Sequence, residues 1–515
     1  MAIDVDQPGS PGWWLWRLSE DQRRRRPRLD DLWDRYEGRA PLPQGAQNAR
    51  EAFQDFQRLA RSNLAHLAVQ AVAERCTLIG FRTSAEQIER ELTDEVAGAI
   101  WQYNQMAMQA KDVHRFMGAM SCGYTIVGPA PDDPQDERSP FWDPDLDIDD
   151  PDGELDDDDP MPLITVEDPR EVITAQDPAR SGRTLAGVKY RYDAQDDVDR
   201  IYMFMLGGLV YRARPVSRKP QNGKSKFGPR WRFSPGQWEW ENLSDPDTLP
   251  TSDVPVTYYR NPQDQAEFEP HIDLMDRINH QILQRMTIAT MQAFRQRAIK
   301  GLPEKDEDGN VIDYEGIFSA DPAALWQLPE TADMWESGQI DLTPLLSAVK
   351  DDVREFMGNS RTPMSYFTPD AANGSAEGAE LTREGLIFKV EDTFLYAGAG
   401  HTRTQRLALR YHGRDDLAKR VLPLWAPAER FSLAQRYDAA QKAVAAGVPW
   451  RTRMLNILQF SPAEVARMEV ERAQEQLLAG VAADADSRGT GGSGNGGSGG
   501  AGGDGDPEDD PAGGQ

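Results

Sequence analysis

The run EPHIDLMDRINHQILQRMTIATMQAFRQRAIKG, residues 269–301, sets the strongest constraint on how this chain can fold. Ile272, Met275, Ile278, Ile282, Met286, Ala289 and Ala293 recur at steps of three and four. That spacing predicts one amphipathic helix, on the order of 40 Å long at about 1.5 Å per residue. Arg277, Gln281, Gln284, Arg285 and Arg295 fall on its other face. A helix this long, in a chain that also carries a separate β region, serves as a strut or as a contact between copies.

The segments C-terminal to the long helix are organised around it. A second helix is predicted from Thr343-Pro344, a good N-cap and first-turn pair, through TPLLSAVKDDVREFMG. A third starts near Ser375, with Leu386, Val390 and Phe394 on one side. Between them lies EFMGNSRTPMSYFTPDAANGSAEGAE, residues 355–380, rich in Gly, Ser, Asn and Pro with a few aromatics. Loops of that length are uncommon in compact domains and are usually functional or disordered. Residues 302–330 contain the turn signal Asp308-Gly309-Asn310 between possible strands. They also approach a calcium loop, with Glu304, Asp306, Asp308, Gly309 and Glu315 at positions one, three, five, six and twelve. The first ligand should be Asp, however, and a hairpin is the better reading. Residues 428–480 read as helical pairs, and from about residue 484 the chain is Gly, Ser and Asp, the composition of a disordered tail.

The first half divides in two. Residues 13–38, 47–75 and 84–118 are helical by periodicity. Trp13, Trp14 and Trp16 are expected to anchor into a neighbouring surface, and Arg23–Arg26 to lie on a solvated helix face among Glu20, Asp21, Asp30 and Asp31. Residues 161–260 change character. LITVEDP, EVITAQD, AGVKYRY, IYMFML, LVYRARP, WRFSP and VPVTYYRNP are short, rich in Val, Ile, Tyr and Phe, and punctuated by Pro, Gly and Asp, which predicts an antiparallel β region.

Composition excludes several functions. The 515 residues carry 57 basic and 85 acidic side chains, a net charge of -28, which argues against tight general DNA binding. Residues 131–160 hold 15 of the acids against Arg138 alone, a charge run that reads as a solvated insertion. Its EF-hand spacing fails at Ile148. No stretch approaches a membrane span and no signal peptide is evident. Cys76 and Cys122 are the only cysteines, which fits a reducing cytoplasm.

Catalytic and metal motifs lack parts. Asn222-Gly223-Lys224-Ser225 has Arg218 where a phosphate loop needs its first glycine, and the one G-x-S-x-G, Gly496 to Gly500, lies in the tail. His66 and His114 each stand alone, with no second His or Cys at ligand spacing. No enzyme activity, cofactor or metal is expected.

The order of segments, together with YEGRAPLP, VPVTYYRNP, ADPAALWQLPE and RTPMSYFTPDAANGSAEG, resembles tailed-bacteriophage portal proteins over roughly residues 10–480. The likeness is greatest to portals of long-tailed phages of actinobacteria, in the broad family of the Bacillus phage SPP-type portal. The resemblance implies an α+β, mainly helical fold. Residues 1–268 would form the wing, including the acidic insertion 131–160 and the β region 161–260. Residues 269–301 would be the first stem helix, 302–336 the clip and 337–358 the second stem helix. Residues 359–375 would be the tunnel loop, 376–427 the wing helix and its return, 428–483 the crown, and 484–515 a disordered Gly-rich tail. It further implies a ring, typically of twelve subunits, at one capsid vertex of the virion, assembled in the host cytoplasm, through which double-stranded DNA passes. The partners implied are the terminase large subunit, a head–tail adaptor, and the major capsid and scaffolding proteins, with no membrane. Arg361, Met364, Tyr366, Phe367 and Asn373 would lie near the DNA path, and Glu304, Asp306, Asp308, Asn310 and Trp326 would dock the motor and the adaptor. The alternative is another virion or capsid-assembly scaffold without a channel.

Overall fold

Helix α1, Pro11–Tyr36, begins where Ser10 accepts a hydrogen bond from the Trp13 N–H at 3.2 Å and Pro11 presets the first turn. It ends at Gly38, whose φ of +76° lets the Arg39 N–H reach the Asp34 carbonyl at 2.6 Å. Leu15, Leu18, Leu29 and Leu32, at steps of three, eleven and three along the same helix, are buried. Pro27 interrupts the ladder on an exposed face, so the helix continues through it. The structure, a computed structural model, describes residues 1–42, 51–90, 93–129, 161–180, 182–217, 219, 221–293, 297–302, 305, 309, 333–336, 338, 340–367, 376–429, 433–460 and 464–476.

The arginine run on α1 is not a solvated face. Arg25 donates to the Tyr124 hydroxyl at 2.9 Å and the Pro169 carbonyl at 2.8 Å, and Arg26 donates to the Arg170 carbonyl at 2.8 Å while pairing with Asp30. Only Arg23 and Arg24 keep the expected pairing with Glu20 and Asp21. Two of the four arginines therefore fasten α1 to the strands. Trp14 packs on the same β region, whereas Trp16 stays 44% exposed.

The helical stretch expected over 47–75 is two helices, α2 (Glu51–Leu59) and α3 (Leu64–Ala73), separated by Asn63, whose side chain caps α3. Strand β1 (Leu78–Arg82) follows. The stretch expected over 84–118 is likewise divided, into α4 (Ala85–Arg90), α5 (Glu95–Tyr103) and α6 (Met106–Met120). Asp94 caps α5 by accepting from Ala97 at 2.8 Å, and Gln105 turns the chain at a φ of +49°. Local hydrogen bonds from Asn and Asp outcompete helix continuation at both breaks.

The β region is antiparallel, as expected. Its strands are β2 (Cys122–Gly128), β3 (Leu163–Glu167), β4 (Val172–Gln176), β5 (Thr184–Asp193), β6 (Val198–Met205), β7 (Leu209–Pro215), β8 (Trp238–Trp240), β9 (Asp247–Thr248) and β10 (Val256–Arg260). They form a three-stranded sheet ordered β10-β2-β3 and a six-stranded sheet ordered β4-β5-β6-β7-β8 with β9 on β7. WRFSP is not a strand. Trp231 and Phe233 instead pack as a loop under the larger sheet, Trp231 standing edge-on to Tyr190 at 5.0 Å, and Trp238–Trp240 supplies the sheet edge.

The remaining elements of this unit, Met1–Phe431, are α7 (Ile272–Ala293), β11 (Arg297–Lys300), β12 (Asp333–Glu336), α8 (Thr343–Asn359), α9 (Ala376–Tyr411) and β13 (Leu422–Trp425), which pairs with β1. The helix expected over 269–301 thus stops short. Residues 297–300 leave it to pair with 333–336, in a register that sets Lys300 opposite Asp333 and Arg297 opposite Glu336. The second unit, Ser432–Gln515, contains α10 (Leu433–Ala445), a wide turn over Arg453–Ile457 and a helix over 464–476. Arg451 pairs with Glu469 at 2.7 Å across it. Cys76 and Cys122 are free and buried.

Candidate functional site: a helix hairpin and the loop at its foot

Helices α7 and α8 run antiparallel. Near one end Arg277 donates to Asp352 at 3.0 Å and to Glu355 at 2.7 Å, and Gln281 donates to Asp352 at 2.8 Å. Near the other, Gln292 donates to the Ile340 carbonyl at 2.9 Å. Such exposed ion pairs each contribute about 0–1 kcal/mol, so the apolar seam decides the pairing. Met275 and Ile278 meet Val349, Val353, Phe356 and Met357 in one buried cluster with residues of α1, α3 and α6. The hairpin is therefore rooted at its foot. Its distal end is a two-stranded ribbon, β11 with β12, where Met334 is 45% and Trp335 59% exposed.

The loop begins with a strained cap. The Thr362 N–H reaches the Met357 carbonyl at 2.9 Å and the Arg361 N–H reaches Gly358 at 3.2 Å, which places Arg361 in the left-handed region at a φ of +54°. Pro363 then prevents the helix from resuming. Lys389, on α9, closes the foot from behind. Its Nζ donates to the Ser360 carbonyl at 3.0 Å and pairs with Glu267, just ahead of α7, at 2.6 Å. The Glu267 side chain is 7% exposed and that of Lys389 16%, so this pair is shielded from solvent. One ammonium thus holds the entry to α7, the exit from α8 and the body of α9. His271, beside it, has its pKa lowered by burial and then by the Lys389 charge.

The residues predicted to line a DNA path divide in two. Arg361 is exposed and Phe367 is 43% exposed. Met364 and Tyr366 are partly buried against the protomer's own core, Tyr366 bridging the α1/α3/α8 cluster and one formed by α3 and α9. Asn373, and the predicted docking residues Glu304, Asp306, Asp308, Asn310 and Trp326, lie outside the described residues, as do the acidic insertion and the tail. So do the candidate calcium ligands. Gly309, at their centre, has the positive φ of +86° that its turn signal implies. Among the described residues no group of three or more His, Cys, Asp or Glu could hold a metal. None of their helices is long and apolar enough to cross a membrane. Sequence reasoning missed Lys389, whose signal is a lone cation beside the apolar stripe of Leu386, Val390 and Phe394.

The described residues thus hold a paired-helix hairpin with a ribbon at its tip, and the long helix α9 beside its foot. The profile of the family described as "Phage portal protein, SPP1 Gp6-like" matches residues 16–477. The chain belongs to this phage portal family. No curated protein matches it. Phage portal proteins are structural components of the virion rather than enzymes, and the mixed helical and antiparallel fold is consistent with theirs. The family match runs from within α1 to just beyond the helix over 464–476, so both units are portal in origin and residues 478–515 fall outside it.

Proposed function

We propose that copies of this chain close head to tail into a ring at one capsid vertex, typically of twelve, and that double-stranded DNA moves through its axial passage. In this reading α7 and α8 are the stem, the ribbon and residues 302–336 the clip, the loop over 359–375 the tunnel loop, α9 the wing helix behind it, and residues 428–483 the crown. The observation that carries the reading is the foot of the hairpin. Lys389 holds Ser360, and Met364 and Tyr366 pack on the protomer's own core a few residues later, so the chain is anchored up to residue 367. A rigid root followed by the small and polar sequence TPDAANGS is what a flexible gasket around DNA requires. A heterologous contact that closes on itself would also cover apolar side chains left open on α9, Phe388 at 53% and Leu395 at 73% exposure.

DNA should pass without being held. The chain carries a net charge of -28, and the exposed face of α8 alternates Lys350, Asp351, Arg354 and Glu355. A surface of this kind offers few uncompensated cations to phosphates spaced one charge per about 1.7 Å of duplex. Arg361 is positioned to touch them briefly. The exposed Trp335 and Met334, with Glu304, Asp306, Asp308, Asn310 and Trp326, would meet the terminase large subunit during packaging and the head–tail adaptor afterwards. The major capsid and scaffolding proteins would surround the wing.

Deletion of residues 368–375 tests the reading. The excision spares Met364 and Tyr366, so rings with a central hole should persist in negative-stain images while packaged or retained DNA falls at least tenfold. Wild-type genome filling by that variant would refute the gasket role, and a chain that stays solitary at high concentration would refute the ring.

A further inference from the structure

Where α6, α9, β2 and β10 cross, five polar side chains are buried in line. His114 Nε2 on α6 lies 3.0 Å from His401 Nε2 on α9, and His401 Nδ1 lies 3.2 Å from the Tyr259 hydroxyl on β10. That hydroxyl is 2.8 Å from Thr404 Oγ1, itself 2.7 Å from Thr125 Oγ1 on β2. None of the five is more than 3% exposed. Trp101 and Trp425 enclose the imidazoles, with centroids 5.4 Å and 5.7 Å from His401. Gly400 admits the Tyr259 ring, since a Cβ there would meet it at 2.2 Å.

A ring-to-ring N–H···N bond needs one donor and one acceptor, so the contact excludes a proton on both rings at once, and burial disfavours a charge on either. Burial, the His401 ring and Lys111 all oppose a charge on His114, and only the Cys76 backbone favours one. The titratable residues that act on them are Lys111, whose Nζ is tied to the Cys76 carbonyl at 2.9 Å, Cys76, through its backbone rather than its thiol, and Tyr259, through its phenol. Burial pushes the thiol up to about 12 and raises the phenol beyond its ordinary range, so both are neutral and the lysine adds repulsion. Among the described residues no carboxylate acts on either ring. One added proton would sit uncompensated in this aromatic box. Two would set N–H against N–H across the contact.

We infer that the His114–His401 contact is an acid-released latch that fastens α9 to α6 in the middle of the protomer and opens when either imidazole is forced to take a proton. Burial holds His114 well below its ordinary 6.5 and lowers His401 to about 3. For such depressed bases the stabilisation is complete above the unfolded value of 6.5 and is lost as pH falls toward 3. At pH 4.5 the opened state gains about a hundred-fold for each histidine it exposes. The N-terminal half of α9 carries Lys389, so its release would loosen the loop root as well. The inference does not depend on the ring.

Hydrogen exchange of the full-length protein at pH 7 and pH 4.5, corrected for intrinsic rates, is the test. The wild-type should lose at least a hundred-fold of its protection in α6 and α9 on acidification. His114→Gln with His401→Gln should flatten that change to within a few-fold, whereas His66→Gln should leave it intact. An equal acid response in the double variant would overturn the latch. If the double variant does not fold, imidazole-labelled wild-type protein decides. Rings that stay neutral until α9 opens support the latch, and a ring that titrates near 6.5 while α9 remains protected overturns it.

Discussion

Arg361 occupies the left-handed position that ends α8, where glycine is the common choice because it has no Cβ to crowd the following carbonyl. Arg361→Gly should therefore relieve strain. Part of the gain is lost to the freer unfolded chain, so thermal or denaturant unfolding should show a net stabilisation of about 0.5–1 kcal/mol. A fall in stability would mean that the guanidinium holds the loop in a way its exposure does not suggest. This position was illegible in the sequence because Gly358, three residues earlier, looks like the natural stop and yet stays helical. The same blindness hid His401 from His114, 287 residues apart, so that His114 read as a solitary imidazole. Arg25 was misjudged because its neighbours are acidic. Its actual partners, a phenol and carbonyls on the sheets, are invisible to local charge counting.

At the scale of elements, periodicity was a sound guide to existence and a poor one to extent. The apolar stripes of α1, α7, α8 and α9 mark helices that are present, and the alternation of 161–260 marks real strands. The errors are breaks. Asn63, Asp94 and Gln105 divide what composition alone would run together, and β11 ends α7 because its residues find a cross-strand partner more than thirty positions away. The α7–α8 seam offers a sharp comparison of forces. Phe356 is 0% exposed, so Phe356→Ala should cost about 3–5 kcal/mol from lost burial and the cavity left behind. Arg277, half-exposed, bonds to two carboxylates, yet Arg277→Ala should cost far less than Phe356→Ala, because solvent screens the pairs. Denaturant midpoints of the two variants, compared at equal slope, check the order. A reversal would mean that the ion pairs, not the apolar contacts, hold the stem.

For the molecule as a whole, the family and its mainly helical α+β character were legible because segment order survives when individual motifs do not. The proposed docking residues and Asn373 were legible only as types, and they lie outside the described residues. One consequence of the hairpin can be tested on a single protomer. The distal ends of α7 and α8 already touch, Gln292 to Ile340, on the far side of the buried seam. Replacing residues 294–338 with a short Gly-rich linker should leave the melting temperature within about 3 °C of wild type, because none of the residues whose burial is described in that span is buried. A drop of 10 °C or more would show that the tip helps to hold the body together.

The root of that hairpin has a longer consequence. Chain enters at Glu267 and leaves at Ser360, and a single lysine reaches both. Everything between behaves as a fitting on one mount. The exposed tip could be recut, by substitution or wholesale exchange, while the mount and the housing behind it stayed as they were.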